Sequence, residues 1–482
     1  MTDERRDMLS RRRFLQLGAG GLAAAGLAPV LAACGGEEEG APPATEAPPA
    51  TEAPPATEAP PATEAPPATG GSLTMWWWGE QEAAGLQKWV DETAQAFQDE
   101  TGTSVETNLL DTGNVISQFT DAAAAGKPPD VQFLWNGIYH MENVWHGYVE
   151  PLNGLVSDEV LQTSGATALS IFEGKQYRVG WYAIGMGVAY NKGLFEGAGL
   201  DPDAPPKTWD ELLDACDKLK ASGVIPIGGG VKDGYFGEWW LGHALTQNLD
   251  SPADAISLFI GDLDWREPRY HEHWTRLREL RDLGFMNDDM NSLELYQGIQ
   301  LMDTNKLAIT LDVSTLLPAS QEQLGEDGVG FMVLPVFGTG KMAGIPLLDA
   351  QGLGIPSGAE NKEGAVEFLE FVHTPERVNR LWELVQQIPA NESFDPSLIT
   401  NPLVRQVYDT WVASEHMPYP PNLMPTLFWS DAMFVASQKI LGGTMTGEEA
   451  GELAQEITEK WKAQNPDLVG NYAKWAEDLA AV

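Results

Sequence analysis

The chain has 482 residues, of which 43% are hydrophobic, so it can bury large cores, and its length favours more than one globular unit. Its formal net charge of −41 lacks the basic footprint that a phosphate backbone requires, so we expect no nucleic-acid partner. The chain has only two cysteines, Cys34 and Cys216, which excludes a framework of several disulfides.

The first 33 residues have the composition of an export signal. Five arginines precede an apolar run that begins at Phe14. Ser10–Leu15 is similar to the twin-arginine export motif, and Leu31–Cys34 resembles a lipoprotein cleavage box. We therefore expect residues 1–33 to be removed and Cys34 to be lipidated, which anchors the protein to the outer face of the cell membrane. An uncleaved membrane-spanning anchor is the alternative.

Residues 34–71 predict a linker rather than a folded domain. From Ala41 the hexapeptide Ala-Pro-Pro-Ala-Thr-Glu occurs four times and then once in truncated form. Paired prolines and the absence of large apolar side chains favour an extended polyproline-rich stalk, which rises about 3.1 Å per residue. Its expected role is to hold the globular part away from the anchor.

The globular part begins with alternating strand and helix patterns. The sequence predicts five elements in order, namely a strand over Ser72–Trp78, a helix from about Gln81 to Glu100, a strand over Val105–Leu109, a helix over Val115–Ala125 and a strand over Asp130–Leu134. This alternation is typical of parallel βαβ units and predicts an α/β fold.

The central segment predicts a strand over Gly180–Tyr190, a turn, and a short helix that ends at Gly199. Thr208 then has the pattern of a helix N-cap, with Glu211 as its capping-box partner. The next helix places Cys216 on its apolar face, which indicates a packed core thiol rather than a reactive one.

Five motifs follow one another along the chain, and their order and spacing can be compared with those of known families. They are GKPPD (126–130), YNKGLFEGAGL (190–200), PPKTWDEL (205–212), ENKEGAVEFLEFV (360–372) and PTLFWSDA (425–432). Together they resemble the sugar-binding proteins of bacterial ABC importers, extracellular solute-binding protein family 1, to which the maltose-binding proteins belong. The resemblance implies a two-lobe periplasmic-binding-protein-like fold of type II, in which each lobe is a mostly parallel sheet flanked by helices and a hinge joins the lobes.

The same resemblance implies where the chain passes between lobes. The N-terminal lobe would comprise residues 72–182 and 351–373, and the C-terminal lobe residues 187–348 and 378–482. The three crossings would lie at Tyr182–Gly187, Leu347–Gln351 and His373–Val378. Small residues in the first two crossings can absorb the backbone rotation of a hinge.

Ligands of open α/β sheets bind beyond the carboxyl ends of strands, which directs attention to the residues that follow each strand. In the first lobe these candidates are Trp78, Glu80, Gln81, Trp135 and Asn136. Indole faces can cover the C–H side of a sugar ring, while carboxylates and amides bind its hydroxyls. For Glu80 the alternative is electrostatic stabilisation of a helix N-terminus.

In the rest of the chain, the resemblance implies ligand contacts at the first crossing and in the second lobe. These candidates are Tyr182, Asp233, Tyr235, Trp239, Asp312 and Trp429. Asp233 and Tyr235 form an acid–aromatic pair, and Trp429 matches a stacking indole of the family. For the indoles the alternative is packing in the core.

The sequence shows no catalytic constellation and no metal-ligand spacing, since His271 and His273 lack further ligands nearby, so we expect neither catalysis nor a metal nor another cofactor. We predict a monomeric, lipid-anchored solute-binding protein that captures a mono- or short oligosaccharide between its lobes and delivers it to an ABC permease. A secreted glycosidase, or a binding protein for a polyamine or an amino sugar, is the alternative.

Overall fold

A computed structural model describes residues 71–480. The predicted signal peptide, Cys34 and the repeat segment lie outside the described residues. Within the described range, no helix is both long enough and apolar enough to cross a membrane.

Strands and helices alternate as the sequence predicts. The strands, in chain order, are β1 (Ser72–Trp77), β2 (Ser104–Leu109), β3 (Val131–Leu134), β4 (Ile171–Phe172), β5 (Lys175–Gln176), β6 (Val179–Asn191), β7 (Ile225–Gly228), β8 (Leu307–Val313), β9 (Val329–Met332), β10 (Leu347–Gly354) and β11 (Met417–Pro418).

The helices are α1 (Leu86–Thr101), α2 (Val115–Ala124), α3 (Ile138–Trp145), α4 (Asp158–Thr163), α5 (Lys192–Gly197), α6 (Trp209–Ala221), α7 (Tyr235–Leu245), α8 (Pro252–Phe259), α9 (Pro268–Asp282), α10 (Leu295–Asp303), α11 (Leu317–Leu324), α12 (Lys362–Val372), α13 (Pro375–Val385), α14 (Pro402–Val407), α15 (Thr426–Phe428), α16 (Phe434–Leu441), α17 (Gly447–Gln464) and α18 (Pro466–Leu479). The π-helical turn Trp429–Met433 joins α15 to α16.

The main sheet is mixed and has the strand order β2-β1-β3-β10-β6-β8-β7, with β11 beside β10 and β9 beside β6. Strand β1 pairs in parallel with β2 and β3, and β7 pairs in parallel with β8. Strands β6 and β10 are antiparallel to each other and join these two parallel groups. This arrangement gives two α/β lobes, which confirms the predicted fold class. The lobes share two long strands of one mixed sheet, which the sequence analysis did not predict.

Strand β6 is the axis of the sheet, and all 13 of its residues are buried. A strand covered on both faces is expected to read as a continuous apolar run, which this segment does. Gly187 in β6 has a packing role, because a Cβ there would lie 2.4 Å from the ring of Phe331. Close approach of an aromatic ring therefore accounts for this glycine without reference to a hinge.

The capping box predicted before α6 is confirmed, with Thr208 and Glu211 each bonding the other's backbone N–H. Helix α1, in contrast, begins at Leu86 rather than near Gln81. Gly85 adopts a left-handed conformation (φ 101°), and the carboxylate of Glu80 accepts hydrogen bonds from the N–H groups of Gly85 and Gln87. The residues before Leu86 thus form a capped turn instead of a first helical turn.

The third predicted crossing, at His373–Val378, covers the junction between α12 and α13 and the first turn of α13. Helix α13 packs on α1, where the indole of Trp89 donates to the carbonyl of Arg377 at 3.3 Å. The chain meets β6 again further on, where Ala183 N–H donates to the carbonyl of Ile388 at 2.8 Å. The start of the segment that the sequence assigns to the C-terminal lobe therefore contacts a helix of the N-terminal lobe.

Candidate functional site

A cavity of about 170 Å³ lies between the two lobes, over β6, β8 and β10. Six of its lining residues are aromatic, and carboxylate and amide groups are interspersed among them. The lining residues are Trp78, Gln81, Glu82, Thr112, Trp135, Ile184, Met186, Tyr235, Glu238, Trp239, Leu295, Tyr296, Val313, Asp349, Gln351, Tyr419 and Asn422.

The first wall is formed by the loops that follow β1, β2 and β3. Trp78 and Trp135 pack edge to face with ring centroids 5.0 Å apart, and Trp78 also contacts Phe133 at 5.6 Å. The indole N–H of Trp78 donates to the hydroxyl of Thr112 at 3.0 Å, and Gln81 donates to the same hydroxyl. These contacts hold two indole rings in defined positions at the edge of the cavity.

The second wall is formed by the first turns of two helices. Tyr235, Glu238 and Trp239 come from α7, and Leu295 and Tyr296 begin α10. Tyr235 and Tyr296 are 38% and 43% exposed, so their rings face the opening instead of packing inside the lobe. Aromatic faces that are open to solvent can cover the apolar side of a ligand.

The floor is formed by the central strands. Ile184 and Met186 of β6 line the cavity, as does Val313 of β8, and Asp349 and Gln351 of β10 supply polar groups. In each strand the lining residues follow the two-residue period of side chains on one face.

Asp349 is held by a network behind the cavity surface. Its carboxylate accepts hydrogen bonds from the side-chain amides of Asn136 and Asn422, each at 2.8 Å. Burial raises the pKa of Asp349, while the hydrogen bond from Asn136 and the positive charge of Arg178 oppose that rise. The two amides therefore fix the position of this carboxyl in the floor.

Glu82, Asp349 and Gln351 line one end of the cavity, which we call the inner end. Glu82 is its second carboxyl. Burial raises its pKa to about 8, and the neighbouring Asp349 charge adds to the rise, whereas contacts with Gln351 and Tyr182 oppose it. The amide nitrogen of Gln351 lies 3.4 Å and 3.3 Å from its two carboxylate oxygens. These surroundings therefore favour the protonated form of the carboxyl in the unliganded protein.

Five of the candidates identified from the sequence line the cavity. They are Trp78, Gln81, Trp135, Tyr235 and Trp239. Their contact with a ligand stays a prediction. The remaining candidates lie outside the lining, each for an identifiable physical reason.

Glu80 and Asp233 lie outside the lining because each caps a helix. Glu80 accepts from the backbone at the start of α1, at 2.9 Å and 2.6 Å. Asp233 accepts from the N–H of Leu295, at 3.1 Å and 3.2 Å, at the start of α10. The alternative considered for Glu80, stabilisation of a helix N-terminus, is the role that the geometry supports.

Three further candidates lie behind the cavity surface. Asn136 supports Asp349 through its amide. Tyr182 is fully buried, and its hydroxyl lies beneath Gly79, where a Cβ would approach it to 2.6 Å. Asp312 precedes the lining residue Val313 in β8, so its side chain points to the opposite face of the strand.

Trp429 lies behind the second wall. Its indole N–H donates to the carboxylate of Glu238 at 2.6 Å, and its ring packs against Tyr235 and Phe434 at centroid distances of 5.9 Å and 5.7 Å. It therefore supports two lining residues, Tyr235 and Glu238, without lining the cavity itself.

Most of the lining residues that sequence reasoning missed share a feature, which is that nothing local marks them. Glu82 and Glu238 each stand a few residues from an acid that sequence reasoning selected, Glu80 and Asp233 respectively. Tyr296, Tyr419 and Asn422 reach the cavity only through the pairing and packing of distant segments, whereas Asp349 and Gln351 belong to the predicted crossing at Leu347–Gln351.

A family model described as bacterial extracellular solute-binding protein matches residues 92–406, more than half of the chain. The chain belongs to this family. Among the described residues of this solute-binding protein, no group of His, Cys, Asp and Glu side chains could hold a metal ion.

Known proteins with similar sequence are binding proteins by name. Over 214 residues the chain is 28% identical to the sn-glycerol-3-phosphate-binding periplasmic protein UgpB of Rhizobium meliloti (strain 1021), an alignment that covers 42% of this chain and 46% of that protein. The chain thus spans about half the length of the curated relatives it matches.

Solved structures extend the similarity of fold over more of the chain. A chitin oligosaccharide binding protein has a TM-score of 0.72 and 23% identity, and the match covers 82% of this chain and 99% of that chain. The maltose/maltodextrin-binding domain MalE from Bdellovibrio bacteriovorus, bound to maltotriose, has a TM-score of 0.63 and 18% identity, with 82% and 100% covered. These similarities establish the two-lobe solute-binding fold.

Proposed function

We propose that the protein is the substrate-binding component of an ABC importer and that its ligand is a carbohydrate of one or a few sugar units. One observation carries the proposal: the interlobe cavity combines aromatic side chains on both walls with carboxylate and amide groups on its floor. Aromatic faces cover the C–H surfaces of a sugar, and carboxylates and amides bind its hydroxyls. The five sequence candidates in the lining are the proposed contacts.

The charge of the cavity favours a carbohydrate over a glycerol phosphate, the ligand named for the relatives from Rhizobium meliloti and Escherichia coli. Glu82, Glu238 and Asp349 line the cavity, and its described lining contains no Lys, Arg or His. Phosphate sites in proteins rely on arginine or lysine for charge-assisted hydrogen bonds. A phosphate dianion in this cavity would meet repulsion without such a partner.

The remaining parts of the proposal concern delivery. Lipidation of Cys34 would tether the protein to the outer face of the membrane, and residues 34–71 would give the globular part reach toward the permease. A monomer that closes over its ligand would then dock on the permease. A Cys34→Ser variant should leave the membrane fraction, and a variant that stays fully membrane-bound would point to an uncleaved helix instead.

A thermal-shift screen followed by calorimetry tests the choice of ligand. The panel contains mono- and disaccharides, glycerol 3-phosphate and a polyamine. A ligand at 100 times its Kd adds about 2.7 kcal/mol to the free energy of unfolding, which a melting curve detects. We expect stabilisation by at least one sugar and none by glycerol 3-phosphate. Stabilisation by glycerol 3-phosphate alone would overturn the proposal.

A matched pair of variants tests whether the ligand binds in the cavity. Tyr296→Ala removes an exposed lining ring, so we expect about tenfold weaker sugar binding with an almost unchanged melting temperature. Tyr408→Ala removes a partly exposed tyrosine that packs on Phe394 and does not line the cavity, so affinity should be unchanged. Release of new reducing ends from an oligosaccharide substrate would instead indicate a glycosidase.

A further inference from the structure

The inner end of the cavity contains a buried hydrogen-bond acceptor without a partner. Gln351 lines the cavity and is 4% exposed. Its amide nitrogen faces the carboxylate of Glu82, which directs the amide oxygen away from that carboxylate, and this oxygen has no hydrogen-bond partner. A buried acceptor that stays unpaired is costly, which indicates that a ligand group donates to it.

The neighbouring carboxyls are acceptors when they are ionised. The carboxyls of Glu82 and Asp349 line the same end of the cavity. The two amides that donate to Asp349, from Asn136 and Asn422, leave its negative charge in place. Arg178 influences Asp349 electrostatically, but its guanidinium lies behind the strands and donates to Ser170 and to backbone carbonyls. Asp349 therefore supplies negative charge to the inner end, and ionisation of Glu82 on binding would add a second carboxylate for a cation.

Among common ligand groups, a protonated amine matches this set. An ammonium group has three donors and no acceptor. Its positive charge would compensate the negative charge of ionised carboxyls. A hydroxyl donates a single hydrogen bond, and an acetamide donates one and adds a carbonyl acceptor beside acceptors. We propose that Glu82, Asp349 and Gln351 bind the ammonium group of an amino sugar whose amine is free. The proposal rests on the proposed function and specifies its substrate class.

The electrostatics of Glu82 agree with this geometry. The groups that act on its carboxyl are Gln351 and Asp349 from β10 and Tyr182 from β6, and Tyr296 of α10 senses its charge. None of the groups that act on Glu82 is a cation. A bound ammonium would favour the ionised carboxyl and lower its pKa from about 8, so binding should release a proton near neutral pH.

Three disaccharides that differ only in the substituent at C2 of each ring test the proposal on the full-length protein. They are the β-1,4-linked disaccharide of glucosamine, its N,N′-diacetyl derivative, and cellobiose, which carries hydroxyls at the same positions. Calorimetry at pH 6 keeps the amines protonated, because amino groups of this kind have a pKa of about 7.7. We expect the free diamine to bind at least tenfold more tightly than either neutral disaccharide.

A pair of neighbouring glutamates provides the variant and its control. Glu82→Gln removes the carboxyl that faces Gln351, so we expect the ratio of diamine affinity to cellobiose affinity to fall at least tenfold. Glu80→Gln alters a carboxylate two residues away that caps α1, so the preference for the diamine should persist. A Glu82→Gln protein that keeps the full preference would overturn the assignment.

Proton release is a second readout that does not depend on the fold of a variant. Titrations of the wild-type protein in two buffers of different ionisation enthalpy give the number of protons released. The diamine should release up to about one proton at pH 6, and cellobiose none. Absence of release with the diamine would contradict the role of Glu82.

The outcomes separate this inference from the proposed function. Equal affinities for all three disaccharides, or tighter binding of a neutral one, would overturn the ammonium site and leave the carbohydrate function standing. Binding of spermidine in preference to every disaccharide would support the ammonium site and overturn the carbohydrate function. Absence of binding by the disaccharides and by spermidine would overturn the inference.

Discussion

Two buried aspartates flank the central strand β6, one on each side, and their surroundings differ. Asp349 of β10 pairs in register with Ile184, faces the cavity, and accepts hydrogen bonds from two amides with Arg178 behind it. Asp312 of β8 pairs with Gly187 and faces away from the cavity. One of its oxygens accepts from the N–H of Val313, and the other has no partner.

The comparison shows that burial alone does not identify a ligand-binding carboxyl. Burial raises the pKa of both groups, and that of Asp312 reaches about 8. Only Asp349, however, lines the space where a ligand can bind. The side of the strand, which alternates with each residue, separates a structural carboxyl from a cavity-facing one.

The largest expected effect concerns Arg178, whose positive charge acts on Asp349 of β10. Arg178 is fully buried, and its guanidinium donates to Ser170, Leu134, Ala350 and Ala166. Arg178→Met should lower the free energy of unfolding by about 3–5 kcal/mol, because it leaves buried acceptors without a donor and Asp349 without a nearby positive charge.

Urea unfolding measures this loss, and Arg266→Met is the control. Arg266 is exposed and pairs only locally, with Asp264, so its replacement should have little effect. A loss below about 1 kcal/mol in Arg178→Met would mean that the β10 side does not depend on this guanidinium, and the contrast with Asp312 would disappear.

The second prediction concerns the β8 side and depends on pH. The pKa of Asp312 rises from 3.8 to about 8 on folding, so the folded protein binds the proton more tightly than the unfolded chain. The stabilisation associated with this group is present below pH 3.8 and is lost as pH rises through 8. Asp312→Asn removes that loss and should stabilise the protein by about 2–4 kcal/mol at pH 9.

Urea unfolding of the variant and the wild type at several pH values tests this sign. Their difference should grow with pH at a slope of up to about 1.4 kcal/mol per unit between the two pKa values. Parallel pH profiles for Asp312→Asn and wild type would show that Asp312 is not the group that titrates.

Much of the fold could be predicted because its signals are local. The all-apolar run of β6 and the capping box at Thr208 and Glu211 are each contained in a few neighbouring residues, and both are confirmed. The start of α1 was predicted too early, because the left-handed Gly85 and the cap from Glu80 interrupt the helix without changing its apolar pattern.

The candidate site was less predictable because it is assembled from both lobes. Spacing along the chain indicated that polar and aromatic residues follow certain strands, but it could not indicate which carboxylate of a neighbouring pair caps a helix. Glu80 caps α1, whereas Glu82, two residues further along the chain, lines the cavity. Gln351 and Asn422 reach the cavity through tertiary packing, which no local pattern encodes.

The third prediction concerns Trp429, which supports the second wall from behind. Trp429→Ala removes a half-buried ring and the donor to Glu238, so the free energy of unfolding should fall by about 2 kcal/mol. Sugar affinity should fall as well, by about tenfold, because Tyr235 and Glu238 lose the contact that positions them.

Trp429→Phe separates packing from hydrogen bonding. It keeps an aromatic ring beside Phe434 but removes the N–H that Glu238 accepts, so stability should fall by about 1 kcal/mol. Thermal unfolding and calorimetry on both variants check the two quantities. Unchanged stability with lost affinity in Trp429→Ala would indicate direct ligand contact, contrary to the position found behind the wall.

The smallest expected effects belong to the two capping carboxylates, and they sharpen the distinction between structural and cavity-facing acids. Glu80→Ala and Asp233→Ala each remove acceptors from a helix N-terminus and should lower the free energy of unfolding by about 1 kcal/mol. Sugar affinity should change less than threefold, because neither side chain lines the cavity. Glu82→Gln should show the reverse, with stability kept and ligand selectivity lost. If Asp233→Ala weakened binding at unchanged stability, the carboxylate would belong to the ligand site after all.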